Sequence, residues 1–379
     1  MLSKQFFFAV ATLFGTTVGA GIFALPLVFI KAGFWLTLFY FVFLGAAVLL
    51  LNLMYGEVTL RTNGSHRLPG YVVKYLGRFW RPAVIFSEVV GISGALLLYL
   101  ILGGQFLALI FQSLWGGSYS LYVFIFWFIL SLGIIRGLKL MGPVELLLDA
   151  VLLGVLLLIV FRGIPFFNVE NFSAVNWANY FLPYGIILFA ISGGVAIPEM
   201  KEQFGVSQKK LLKAAIISGT LLSVLIAAIF GSVVAGITGA ATSADALGGL
   251  KAVFGSNFIK LMALFGFSVI ATSFLVLGVY LKEVFQFDFK IGKNIAALLA
   301  VLIPIFSFAL GIQSFTKVIG FLGSVTVPLS SLIVVLVFKA AKRKGDREPE
   351  YNLAVSRPLL GGLIILFLMG FLHQIILSL

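Results

Sequence analysis

The sequence predicts an all-α protein that crosses a membrane many times, as two copies of five helices in opposite orientation plus an eleventh helix. Three observations predict it. The 379 residues are 61% hydrophobic and 10% charged, with a mean hydropathy of +1.16, whereas soluble domains are about a quarter charged. Lysine and arginine fall unevenly between alternate loops. Two apolar segments, the first and the sixth, carry glycines mid-way, where no water can rescue an unpaired backbone.

A helix needs about 20 apolar residues to cross a core of about 30 Å. The first stretch that qualifies is 6–30, although it contains "GTTVGAGIFALP", with Gly15, Gly19, Gly21 and Pro26. Span two, 34–59, ends at the i, i+4 pair Glu57 and Arg61. Span three, 81–115, would be about 52 Å long at 1.5 Å per residue, so it must tilt or project. Spans four and five follow at 119–136 and 143–161. Span six, 178–200, carries Ser192, Gly193, Gly194 and Pro198. Spans seven to ten are 212–237, 257–281, 295–312 and 318–338; a charged loop separates them from the last, 357–377. No segment reads as a water-soluble domain.

Charge orients these spans. With the N-terminus cytoplasmic, that face collects 21 of the 26 basic residues, leaving Lys31, Arg162, Lys251, Lys260 and Lys317 outside. The net charge of +13 is then a topology signal facing anionic lipid rather than a nucleic-acid footprint. The expectation is a multi-pass, monomeric protein of the cell membrane with an extracytoplasmic C-terminus. The first apolar run is too long for a signal peptide core, and no A-x-A site follows it. The chain has no cysteine, and His66 and His373 leave little room for a histidine metal centre.

Glycine costs a helix roughly 1 kcal/mol against alanine. Interrupted spans in the first and sixth positions, five apart, are the mark of an inverted repeat. The expected copies are 1–165 and 175–340, with 357–377 as an addition. An unwound turn near Gly15–Gly21 would leave one half-helix ending in carbonyls and the next beginning in N–H groups. Close helix packing through Gly15-x-x-x-Gly19 is the competing reading.

"GTTVGAGIFALP", followed by "AGF", "LLNLMYGEVTLRT" and "RLPGYVVKYLG", resembles the amino acid/auxin permease and aromatic amino acid permease branch of the amino acid–polyamine–organocation superfamily. The resemblance implies the LeuT fold and amino acid binding at the unwound parts of helices 1 and 6. Gly19, Ala20 and Gly21 would then face the carboxylate. Thr16, Thr17, Phe189, Ser192 and Gly193 would contact the ammonium and side chain. Tyr99 matches an aromatic of the family pocket, or simply packs. Spans 1, 2, 6 and 7 would rock against 3, 4, 8 and 9.

Sodium-coupled members hold Na⁺ between helix 1 carbonyls and helix 8 hydroxyls. Here Thr272 and Ser273, with the carbonyls of Gly15, Val18 and Val269, would give five oxygen ligands; alternatively, the hydroxyls bond their own helix. Some proton-coupled relatives carry a lysine on helix 5, which this chain lacks. Glu145 and Asp149 lie there instead, four apart on one face. An acid inside a span is a functional candidate, so Asp149 and Glu88 stand as proton carriers. Glu57 and Glu199 are candidate inner-gate charges; an interfacial salt bridge and a helix-end charge are their plainer readings.

The resulting expectation is a secondary transporter, driven by a proton or sodium gradient, for neutral apolar or aromatic amino acids, since the pocket-side residues lack acids and bases. A non-transporting amino acid sensor of the same fold and an ion channel are the alternatives. A channel would favour a continuous pore. No nucleophile or metal-protease motif points to an enzyme, and no cofactor beyond a coupling ion is expected.

Overall fold

The computed structural model describes residues 4–137, 142–204 and 206–378. Among these the regular elements are helices, with no strand. The first span is two helices, α1 (Lys4–Thr17) and α2 (Leu25–Ala32), parted at Val18 and Gly19 and by a tight 3-10 turn over Ala20–Ala24. The two pieces are bent by 47°. Next come α3 (Phe34–Arg61), α4 (Leu68–Leu76), α5 (Arg81–Trp115), α6 (Tyr119–Arg136) and α7 (Gly142–Gly163). The sixth span is also divided, into α8 (Leu182–Ala190) and α9 (Ile197–Gln203). The remainder is α10 (Leu212–Thr238), α11 (Leu247–Glu283), α12 (Lys293–Ala309), α13 (Phe315–Phe321), α14 (Val327–Lys344) and α15 (Arg357–Ser378).

Among the described residues eight helices are long and apolar enough to cross a membrane, and the bent α1–α2 pair makes a ninth candidate. Shorter apolar helices at Ala150–Phe166 and Lys293–Ala309 fall at spans five and nine. The first turns of α2, α4, α5, α8, α9 and α14 each hold a proline, where its missing N–H has no partner to lose. α5 runs unbroken for 35 residues.

Three features depart from the sequence reading. α4 is an additional short helix, with Leu68, Tyr71, Val72 and Tyr75 buried on one face and Lys74 exposed. α11 begins ten residues early, but Gly255 sits at φ 78 and kinks it, so the part beyond the kink matches the expected apolar span 257–281. The tenth span is α13 and α14 joined by one π-helical turn, Leu322–Thr326.

The helices form two bodies, each stitched internally by polar contacts. In the first, α10 packs on α1, α2 and α3. Asn52 Nδ2 donates to Thr220 Oγ1 (3.0 Å), and Gln203 Nε2 to Thr12 Oγ1 (2.9 Å). Lys201 Nζ reaches the carbonyls of Thr62 and Gly64. In the second, α11 lies along α5, and α6 and α12 pack beside them. Trp127 Nε1 donates to Val301 O (2.8 Å), and Lys282 Nζ to the carbonyls of Ile134 and Ile135 that end α6. Such contacts matter where lipid offers no competing partner.

Candidate functional site

The two breaks lie against each other. At the first, the hydroxyls of Thr16 and Thr17 turn back onto the carbonyls of Thr12 and Leu13, each at 2.6 Å. The Gly19 N–H reaches only two residues back, to Thr17 O, and the chain leaves the helical path. It resumes at Ala20, so the N–H groups of Ala20 and Gly21 head a new segment with no earlier turn to bond. At the second break, Ile191 and Ser192 still donate to Ile187 O and Phe189 O, and Ser192 Oγ donates to Leu188 O. The next turn starts at Gly194.

Glycine is needed here for close approach. A Cβ on Gly21 would lie 2.7 Å from Ala190 Cα, and one on Gly193 would lie 1.9 Å from Thr17 Oγ1. Real side chains do not tolerate such contacts, so these two glycines let the breaks interlock.

A cavity of about 250 Å³ opens beside them. Gly15, Thr16, Thr17, Gly19, Ala20, Gly21, Phe189, Ser192 and Gly194 line it from the broken spans. α3 contributes Val48, Leu51, Asn52 and Tyr55; α5 contributes Glu88, Ala95 and Tyr99; α11 contributes Val269, Thr272, Ser273 and Tyr280. The lining stops at Gly21, Phe189, Tyr99 and Val269 and continues the other way to Arg67, Leu68 and Val334. The cavity therefore runs from the breaks toward the face that carries the N-terminus.

Several of its polar groups are already engaged. Thr272 Oγ1 bonds Val269 O at 2.8 Å, on its own helix. Tyr99 is buried, and its hydroxyl oxygen would be 2.9 Å from a Cβ on Gly19. Glu88 is the one carboxylate among the described lining residues, and its Oε2 accepts from Tyr280 Oη at 2.9 Å. No group of three or more metal-ligating side chains occurs among the described residues.

A family model for tryptophan/tyrosine permeases matches residues 2–377. The chain belongs to the tryptophan/tyrosine permease family. It is therefore a secondary transporter rather than an enzyme. No curated protein matches it by sequence. Solved structures match it by fold. MhsT in complex with L-phenylalanine aligns with a TM-score of 0.67 at 16% identity, covering 99% of this chain and 97% of that one. MHP1, a nucleobase–cation–symport-1 family transporter in a closed conformation with bromovinylhydantoin, aligns at 0.65 and 13%, covering 98% and 90%. The fold is the LeuT fold.

Other sequence-derived positions of the permease fall elsewhere. Gly193 packs on Thr17, and it is Gly194 that lines the cavity. Val18 is buried outside the lining. Glu57 does pair with Arg61, Nε at 2.8 Å, and it is fully buried away from the cavity, with the Leu353 N–H at 2.7 Å and Lys342 Nζ at 3.7 Å as further partners. Glu199 is exposed in the first turn of α9, outside the lining. The side chains of Glu145 and Asp149 on α7 lie outside the described residues. Asn52, Tyr55 and Tyr280 line the permease cavity without having been singled out. Their spacing carried a signal: Asn52 and Tyr55 share a face with Val48, and Tyr280 lies two turns below Ser273.

Proposed function

We propose that this permease is a symporter of neutral apolar or aromatic amino acids, with its N-terminus cytoplasmic and its C-terminus extracytoplasmic. The observation that carries the reading is the pair of facing breaks beside one largely apolar cavity. A zwitterion needs an anion site and a cation site a few ångströms apart. The N–H groups of Ala20 and Gly21 suit the carboxylate, and helix dipole adds to them. The carbonyl ends of α1 and α8, with Thr16, Thr17 and Ser192, suit the ammonium. Val48, Leu51, Phe189, Val195 and Tyr99 offer an apolar side chain a matching wall. MhsT, bound to L-phenylalanine, supplies a precedent for such a ligand in this fold.

For the driving ion, the lone lining carboxylate favours a proton carried by Glu88. A sodium site at Thr272 and Ser273 is the second reading, with the carbonyls of Gly15, Val18 and Val269. The Thr272 hydroxyl proton already points at Val269 O, although its oxygen could still face a cation.

Uptake into proteoliposomes, against a panel of labelled amino acids with Na⁺ and pH gradients imposed separately, tests all of this. The expected result is uptake of phenylalanine, tyrosine or tryptophan driven by an inward proton gradient. Glu88→Gln should abolish gradient-driven uptake while leaving binding in place. Unchanged proton-driven uptake in that variant removes Glu88. Sodium-driven uptake that disappears in a Thr272→Ala/Ser273→Ala double variant would select the second reading.

A further inference from the structure

The segment 345–356, which joins α14 to α15, has no regular structure, yet it is pinned to other elements along its length. At its start, the N–H groups of Asp346 and Arg347 both donate to Arg61 O, the last carbonyl of α3. The Asp346 carboxylate accepts from the Asn63 N–H at 2.8 Å and from Lys74 on α4. The Lys74 hydrogen bond, helped by the Asn63 N–H, lowers the pKa of that carboxyl, so the pairing persists to more acidic pH than an ordinary aspartate would allow.

In the middle, Tyr351 enters a notch on α3. Its hydroxyl donates to Leu53 O at 2.6 Å, and a Cβ on Gly56 would lie 2.3 Å from that oxygen and 2.5 Å from Ile216 Cδ1 of α10. Lys213 of α10 lies over the ring at 6.0 Å. Further on, the Leu353 N–H reaches buried Glu57, and Lys342 of α14 joins Glu57, Asn352 and the Leu353 carbonyl. These pins bind the lower end of α14 to α3 and α10. Toward the other body, α14 shows one side-chain hydrogen bond among the described residues, Ser330 Oγ to Ser87 Oγ of α5 at 3.2 Å.

We infer that segment 345–356 is a clasp that makes the lower half of α14 travel with α3 and α10, and not with α5 and α11, when the cavity changes the face to which it opens. The inference rests on the permease working by alternating access. Its physical basis is the number of contacts to be broken. Parting α14 from α5 breaks one hydroxyl pair and the packing between the two helices. Parting it from α3 would strip a buried carboxylate of its partners and empty the notch at Gly56, which is far more expensive. The π-helical turn at Leu322–Thr326, just above the clasped half, is a place where the helix can yield.

The chain has no cysteine, so paired substitutions report cleanly. Two disulfide pairs are compared in proteoliposomes, with oxidation followed by mass spectrometry and uptake of labelled phenylalanine, tyrosine and tryptophan as the readout. Oxidised Asn63→Cys/Asp346→Cys, which ties the clasp to α3, should transport within about twofold of its reduced form. Oxidised Ser87→Cys/Ser330→Cys, which ties α14 to α5, should lose about tenfold or more and recover with reductant, as expected when a gating motion is blocked. Arrest by the first pair, or normal uptake through the second, overturns the inference. Tyr351→Ala serves as a measurement that needs no cross-link. It should slow uptake about tenfold while substrate binding persists, since the two ends of the moving body are uncoupled. Unchanged uptake in it overturns the clasp equally. If the unmodified protein takes up none of the three amino acids, the functional reading has failed instead, and that result is distinguishable because it precedes any cross-link.

Discussion

The two breaks of the permease solve one problem in different ways. Both must leave the helix in mid-span without stranding polar groups in an apolar setting. On the side away from the N-terminus, the Ala20–Ala24 turn and α8 meet by bare approach, with the missing side chain of Gly21 replaced by the Ala190 backbone. On the side toward the N-terminus, α1 and α9 are held by a polar stitch, Gln203 to Thr12. Gly19 shows a third situation, in which the neighbour is only the tip of Tyr99. The difference teaches that a glycine in a broken span does not have a single role. Gly21 and Gly193 make the breaks fit together; Gly19 lines the cavity beside Tyr99; Gly194 faces the cavity itself.

The comparison breaks most visibly at Gly193. Gly193→Ala should be the most damaging, because Thr17 is fixed by its own bond to Leu13 and cannot easily retreat. A loss at the upper end of the ~1–3 kcal/mol typical of overpacking, or more, is expected in thermal unfolding in detergent. Gly21→Ala should cost about 1–3 kcal/mol, since the obstacle is backbone, and Gly21→Val should also abolish binding of substrate. Wild-type affinity in Gly21→Val would mean that this segment is plain packing. Gln203→Leu removes the inner stitch and should cost about 1 kcal/mol, as for one ordinary hydrogen bond. Gly19→Ala should do least, under about 1 kcal/mol, because the Tyr99 hydroxyl can swing aside. Pairing Gly19→Ala with Tyr99→Phe should recover most of that small loss; a deficit that persists would show that the backbone, not the tyrosine, demands glycine there.

Much of the architecture was readable because membrane crossing is enforced locally. Each span must satisfy its own backbone, so length and apolar composition reveal it, and a glycine cluster in the middle reveals where that rule is relaxed. The site was readable only as far as it follows from those clusters. Thr16, Thr17, Gly19, Ala20, Gly21 and Ser192 do line the cavity, because the breaks that expose them are written in the chain itself. Gly193 and Gly194 are adjacent and alike in sequence, and only the neighbouring helix separates their roles. The Glu57–Arg61 pair was legible from its i, i+4 spacing, but nothing within span two announces that Leu353 and Lys342 will join it.

What the sequence determined by itself is therefore that the chain crosses a membrane repeatedly and that two of its spans are interrupted. These rest on forces acting within one helix or between a helix and lipid. The tertiary structure alone decided that Gly21 sits on Ala190, that Tyr280 meets Glu88, and that a non-helical segment is clasped to α3. Each of those pairs joins residues far apart in the chain, and no local preference for helix or burial encodes which distant atom will arrive.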